Sequence, residues 1–188
     1  MVIAVYSGSF NPLHYGHIDI LHGLYSSRAI DKIMVVVSPK NPSKPESLYL
    51  QTPIERLEAV KSVIDFNGWG DKMEASDIEF SRTPPIYTID TLQDIQRLYP
   101  DAELWYVCGS DNLRKIMRWR NAKAMLERII VFERTGYDMS AIASEALKKF
   151  PESRICQMSM KPREISSTEI RDLYNSGQDY SHLTPIKI

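Results

Sequence analysis

Val2-Ile3-Ala4-Val5-Tyr6-Ser7-Gly8-Ser9-Phe10-Asn11-Pro12-Leu13-His14-Tyr15-Gly16-His17 opens the chain. An apolar run breaks into a glycine turn, and two histidines follow where a helix begins. This order of parts suits an anion. The first N–H groups of a helix lack intrahelical partners, and the helix dipole draws negative charge to them. Gly8 lets the backbone approach a ligand closely. Ser9 can donate its hydroxyl to a phosphate oxygen. Pro12 stiffens the turn, and Gly16 is expected to keep the helix entrance open for a bulky ligand. His14 and His17 stand three apart and can share one side of a helical turn. A His-x-x-His pair also serves as surface decoration, as a cap or as half a metal site. Zinc is disfavoured, because no further Cys, His or carboxylate ligands stand nearby in sequence. Neither a G-x-x-x-x-G-K-[ST] loop nor a G-x-G-x-x-G fingerprint occurs.

Working outward, strand-like and helix-like runs alternate. Strands are expected at Ile3–Tyr6, Lys32–Val37, Ile78–Phe80, Leu104–Cys108, Arg128–Phe132 and Arg154–Met158. Lys32-Ile33-Met34-Val35-Val36-Val37 is β-branched without alternation, as in a strand covered on both faces. Helices are expected at His17–Ala29, Ile54–Ile64 behind Pro53, Thr88–Tyr99, Met139–Phe150 and Ser166–Tyr174. Residues 38–52 carry Pro39, Pro42 and Pro45 among serines and lysines, and read as a mobile loop. The alternation predicts an α/β domain: a Rossmann-like, doubly wound parallel sheet between two helix layers, in one domain spanning 1–188. Ligands of such sheets bind beyond the carboxyl ends of the strands. The loops at Gly8–His17, Ser38–Lys44 and Gly109–Asn112, and the segment Ile165–Arg171, are therefore expected to converge.

Composition narrows the partner. The 188 residues carry 23 Lys plus Arg and 24 Asp plus Glu, a formal net charge of -1. No bulk basic field invites nucleic acid or an anionic membrane, so phosphate binding must be local. No apolar stretch reaches the ~18 residues of a membrane-spanning helix, and no signal peptide precedes the first strand. Cys108 and Cys156 lie in apolar runs and read as reduced, buried thiols, which favours the cytoplasm. Nothing selects a monomer over a homo-oligomer.

A second anion site closes the chain. Ile165-Ser166-Ser167-Thr168-Glu169-Ile170-Arg171 places three hydroxyls at a helix start, and Ser166 with Glu169 matches a capping box. Capping alone needs neither three consecutive hydroxyls nor an arginine. Hydroxyls, N–H groups and a guanidinium together suit a polyphosphate.

Taken together, His14-Tyr15-Gly16-His17 and Ile165-Ser166-Ser167-Thr168-x-Ile170-Arg171 resemble the nucleotidyltransferase superfamily with the (H/T)-x-G-H signature. Within it the chain is most similar to the bacterial nicotinate-nucleotide adenylyltransferases. Pro85-Ile86-Tyr87-Thr88-x-x-Thr91-Leu92 resembles that family's P-S-Y-T-x-x-T-L, with Ile86 for serine. Gly109-x-Asp111 followed by Trp119 resembles its G-x-D…W. Arg134-Thr135-Gly136-Tyr137 resembles its R-P-G-Y, with Thr135 for proline. Asn11 stands where the family often has aspartate, which removes one negative charge near the phosphates. Arg120 stands where an aromatic is frequent, and the chain stops soon after Leu183-Thr184-Pro185, where the family continues into a last helix.

The resemblance implies transfer of the adenylyl group of ATP to nicotinate mononucleotide in NAD biosynthesis. It implies catalytic roles for His14, His17 and Arg171, with the histidines protonated against the α- and β-phosphates. ATP would contact Gly8, Ser9, Phe10, Gly16, Lys40, Gly109, Ile165, Ser166, Ser167 and Thr168, and Lys44 could close over it. The acceptor would contact Tyr87, Thr88, Asp111 and Trp119, the last by stacking on the pyridine ring. Mg²⁺ would arrive with ATP and need no carboxylate cage. Rival readings are adenylyl transfer to nicotinamide mononucleotide or phosphopantetheine, and a non-catalytic nucleotide sensor. By contrast, His22 and His182 read as surface residues and Trp69 as loop packing.

Overall fold

The computed structural model describes residues 1–40, 45, 48–119 and 121–188. Lys44 and Arg120 lie outside them, as does part of the expected mobile loop. Six strands form one parallel sheet: β1 (Val2–Gly8), β2 (Lys32–Val37), β3 (Met73–Ser76), β4 (Glu103–Gly109), β5 (Arg128–Phe132) and β6 (Arg154–Gln157). Their order is β3-β2-β1-β4-β5-β6, the doubly wound arrangement that the sequence predicts. Among the described residues seven helices accompany them: α1 (Tyr15–Ser26), α2 (Pro53–Phe66), α3 (Thr88–Leu98), α4 (Ser110–Ile116), α5 (Ala122–Met125), α6 (Met139–Lys149) and α7 (Ser167–Asn175).

Strand periodicity sorts the helices into two layers. Ala4, Tyr6, Ile33, Val35 and Val37 face Ile20, Leu21 and Leu24 of α1 and Leu57, Val60 and Val63 of α2. Their chain neighbours Ile3, Val5, Met34 and Val36 face Ile95 of α3. On that same side Tyr106, Cys108, Ile129 and Val131 pack on Leu113 of α4 and Ile142 of α6. The central strands are buried on both faces, which is why their apolar runs do not alternate. Strand order reverses between β1 and β4, which pair in register from Val2↔Glu103 to Tyr6↔Val107. Their carboxyl ends, Gly8 and Gly109, bracket the crevice where doubly wound sheets bind ligands.

Three expectations shift. The third strand is Met73–Ser76 and not Ile78–Phe80, which forms a turn closed by Phe80 N–H on the Asp77 carbonyl at 2.7 Å. A short strand at the sheet edge, with only Met73 buried, gives little hydrophobic signal. The expected loop at Gly109–Asn112 is the start of α4, which follows β4 directly. Cys156 is exposed because β6 is an edge strand, whereas Cys108 is buried as expected. Trp69 packs as expected, stacked on Tyr25 with centroids 5.7 Å apart. His22 and His182 are exposed.

Candidate active site

His14 is the N-cap of α1, and the helix begins at Tyr15, two residues before its expected start. The His17 N–H donates to His14 Nδ1 and the His14 N–H donates to His17 Nδ1, each at 3.3 Å. The rings stack with centroids 3.6 Å apart. This reciprocal cap copies a capping box with imidazoles in place of hydroxyl and carboxylate. A ring nitrogen that accepts carries no proton, so in the neutral form each imidazole holds its proton on Nε2.

That geometry bears on the charge of the histidines. His14 is 1% exposed, and burial, with the Arg134 charge second, pushes its pKa down to about 3. Burial thus favours the neutral form of His14 near pH 7. It can serve as a neutral Nε2–H donor.

The loop before α1 is held from three directions. From the carboxyl-terminal segment, Arg171 Nη1 donates to the Asn11 carbonyl at 2.9 Å, and Ser167 Oγ donates to the Pro12 carbonyl at 3.0 Å. Thr184 Oγ1 donates to the Leu13 carbonyl at 2.5 Å. From the other side, the buried Asn11 side chain ties down the segment before α2. Its Nδ2 donates to the Leu48 carbonyl at 2.8 Å, and its Oδ1 accepts from Leu50 N–H at 3.2 Å. Asn11 thus has a structural task that uses both ends of an amide, beyond the absence of a charge. From below, Arg56 of α2 donates from Nη1 to the carbonyls of Ser9 and Ser38, and from Nη2 to that of Pro39.

The two phosphate motifs therefore meet, as the sequence predicts, but the hydroxyls divide. Ser166 caps α7 by accepting from Glu169 N–H at 3.1 Å, and Thr168 Oγ1 accepts from Arg171 Nη2 at 2.9 Å. Both keep a proton to donate. Ser167 spends its proton on Pro12, so it cannot also donate to phosphate in this arrangement. Ile165 and Arg171 are buried.

Gly16 also departs from expectation. A Cβ there would lie 2.7 Å from the Arg163 carbonyl oxygen and 3.2 Å from the His14 ring. The protein's own carboxyl-terminal segment fills the space expected for a ligand. Arg163 is fixed in place by a bidentate pair with Asp19, at 2.8 and 2.7 Å. A Cβ at Gly109 would lie 2.5 Å from Asp111 Oδ1 and 3.1 Å from the Phe132 ring, and one at Gly8 would lie 3.2 Å from the Phe10 ring.

The expected acceptor residues lie along the β4 side. Burial raises the pKa of Tyr106 to about 12, while the nearby Ser7 and Thr88 side chains oppose the rise. Tyr87, the N-cap of α3, gives no side-chain cap. Glu79 is buried and accepts from Thr91 Oγ1 at 2.7 Å and Ser38 Oγ at 2.6 Å, joining α3 to the loop after β2. Asp111 stands in the first turn of α4, 3.7 Å from Lys115. Trp119 is 42% exposed in the turn after α4, a placement that favours stacking over a core role. Lys40 is exposed at the loop after β2.

Residues 5–173 match the cytidylyltransferase-like family. A Flavobacterium johnsoniae protein named "Probable nicotinate-nucleotide adenylyltransferase" is 34% identical over 191 residues, covering 100% of this chain and 94% of its own length. The chain belongs to the nicotinate-nucleotide adenylyltransferase family. A second such adenylyltransferase relative, from Clostridium tetani, is 31% identical over 98% of this chain and 92% of its own. Among solved structures, the Plasmodium falciparum nicotinic acid mononucleotide adenylyltransferase complexed with NaAD superposes with a TM-score of 0.76. It is 26% identical, over 96% of this chain and 87% of that one.

Sequence reasoning missed Arg56, Tyr106 and Glu79, which are buried or lie at the loops around the candidate site. Arg56 left a signal, since it shares the buried stripe of α2 with Val60 and Val63. A charge on an apolar stripe is unusual enough to mark a partner.

Proposed function

We propose that this chain transfers the adenylyl group of ATP to nicotinate mononucleotide, giving deamido-NAD and pyrophosphate. The observation that carries the reading is the junction of the two phosphate motifs, where Arg171 holds the Asn11 carbonyl. A phosphate oxygen of the mononucleotide attacks the α-phosphorus of ATP. The new P–O bond forms as the bond to the bridging β-phosphate oxygen breaks, and pyrophosphate leaves with the electron pair. The attacking phosphate is already ionised near neutral pH, so no general base is required.

Both reactants are polyanions, so catalysis rests on positioning and charge stabilisation. His14, as a neutral donor, and His17 contact the α- and β-phosphate region with Ser9. Ser166, Thr168 and Arg171 hold the leaving pyrophosphate. Gly8, Phe10, Gly16, Gly109, Ile165, Ser167 and Lys40 shape the ATP side. Trp119 stacks on the pyridine ring, Thr88 and Tyr87 present the start of α3 to its carboxylate, and Asp111 takes a ribose hydroxyl.

Mg²⁺ enters as the counter-ion of ATP. Among the described residues no three His, Cys, Asp or Glu side chains gather for a resident ion. No helix of the described residues is long and apolar enough to cross a membrane, and the free thiols fit a reducing cytoplasm.

The test is an acceptor assay. Purified protein with Mg–ATP should release pyrophosphate and form deamido-NAD with nicotinate mononucleotide, and turn over the nicotinamide form far more slowly. Equal rates with both, or activity with phosphopantetheine only, would remove the acceptor assignment.

A further inference from the structure

We propose that Arg56 is a positioning residue for ATP: it aims the Phe10 N–H at phosphate and places beneath the loop a positive charge that the polyphosphate completes. The inference rests on the adenylyl-transfer reading above. Arg56 is 0% exposed, yet among the described residues its guanidinium hydrogen-bonds carbonyls and no carboxylate. Those carbonyls, of Ser9, Ser38 and Pro39, come from the loops after β1 and β2, both at the carboxyl edge of the sheet. The Tyr49 ring lies 4.9 Å from the guanidinium carbon. Among the described residues, Arg56 Nε is buried without a hydrogen-bond partner.

Two physical consequences follow. In a trans peptide the C=O and N–H point in opposite directions. Arg56 turns the Ser9 carbonyl inward, so the Phe10 N–H points away from it, to the other side of the loop. Phe10 sits at φ 43°, a left-handed conformation that an aromatic residue holds only when its surroundings impose it. Arg56 imposes it from below, and the Phe10 ring packs 5.1 Å from His17.

The second consequence concerns charge. A buried cation without a counter-charge is costly, and carbonyl dipoles compensate it only in part. An arginine serving only to brace two loops would be better offset by a carboxylate. A polyphosphate above the loop provides the missing negative charge.

Binding of Mg–ATP and of nicotinate mononucleotide is measured by calorimetry on the wild type and on Arg56→Lys. Lysine keeps the charge but cannot hold three carbonyls with one planar fork. ATP affinity should fall about 10- to 100-fold while acceptor affinity changes less than about twofold. A cooperatively folded Arg56→Lys protein that binds Mg–ATP as tightly as wild type overturns the proposal. Equal weakening of both ligands does so too, since that is the mark of a loosened fold. A second measurement uses the unaltered protein. Amide exchange at Phe10 should slow about tenfold or more on adding Mg–ATP. Unchanged exchange there overturns the assignment, whether or not the variant folds. A wild type that binds Mg–ATP but forms no deamido-NAD would count against the transfer reading and leave these two readouts intact.

Discussion

Arg171 Nη1 reaches the main-chain carbonyl of Asn11 at 2.9 Å across 160 residues of chain. One guanidinium thus fixes the spacing between the two phosphate motifs. Arg171→Lys keeps the charge but loses the paired contacts to Asn11 and Thr168. Its kcat/KM should fall about 100-fold or more, the scale of one lost stabilising donor at a reacting phosphate. Steady-state kinetics on a variant with a normal melting curve would decide this, and near-wild-type turnover would count against it.

Neutral, buried His14 makes stability depend on acid. Its pKa falls from the ordinary 6.5 to about 3 on folding. Between those values the unfolded chain binds a proton that the folded chain refuses. The contribution is therefore complete above pH 6.5 and declines toward pH 3, by up to about 1.4 kcal/mol per pH unit. His14→Asn keeps a cap acceptor but cannot titrate, so denaturant unfolding from pH 7 to pH 4 should show a shallower loss. Identical slopes in the two proteins would mean that His14 ionises freely when folded.

Asn11→Asp tests the amide. A carboxylate can accept from Leu50 N–H but cannot donate to the Leu48 carbonyl, and it repels that oxygen. Stability should drop by about 1–3 kcal/mol, measured by urea unfolding at pH 7. An unchanged midpoint would show that the segment before α2 does not depend on this tie.

Gly16→Ala pushes a methyl group against the Arg163 carbonyl, which is backbone and cannot swing aside. We expect a loss of about 1–3 kcal/mol and a matching fall in melting temperature. Alanine tolerated at no cost would mean that the carboxyl-terminal segment is displaced easily.

Trp119→Ala should raise KM for nicotinate mononucleotide about 2- to 10-fold and leave KM for ATP unchanged, as expected for loss of one stacking partner. A shift in KM for ATP alone would reassign the ring to the nucleotide side.

Much of this was legible before the structure. β-branched runs revealed the buried strands because a strand covered on both faces has no polar side to display. His14, His17 and the Ser166–Arg171 run were legible because their chemistry is local and their residue types are rare in combination. The edge strand β3 was not, since only one of its side chains is buried. Arg56 was not read either, because a lone arginine ordinarily means solvent, and its three carbonyl partners come from loops distant in sequence. The same holds for Gly16, whose neighbour Arg163 is brought there only by the fold. The burial that lowers the His14 pKa was not legible, because burial is a tertiary property.

The carboxyl-terminal brace has a consequence for biosynthesis. Tyr15 N–H donates to the Leu183 carbonyl at 3.1 Å, and Arg163, Ser167, Arg171 and Thr184 secure Asp19, Pro12, Asn11 and Leu13. On the ribosome, the loop with both histidines emerges well before residues 163–184 and waits unbraced while strands β2 to β6 are made. Only when residues 163–184 have left the exit tunnel can the two halves of the clamp close. Until residues 163–184 have emerged, a nascent chain holds the signature histidines without the hydrogen bonds that brace their loop.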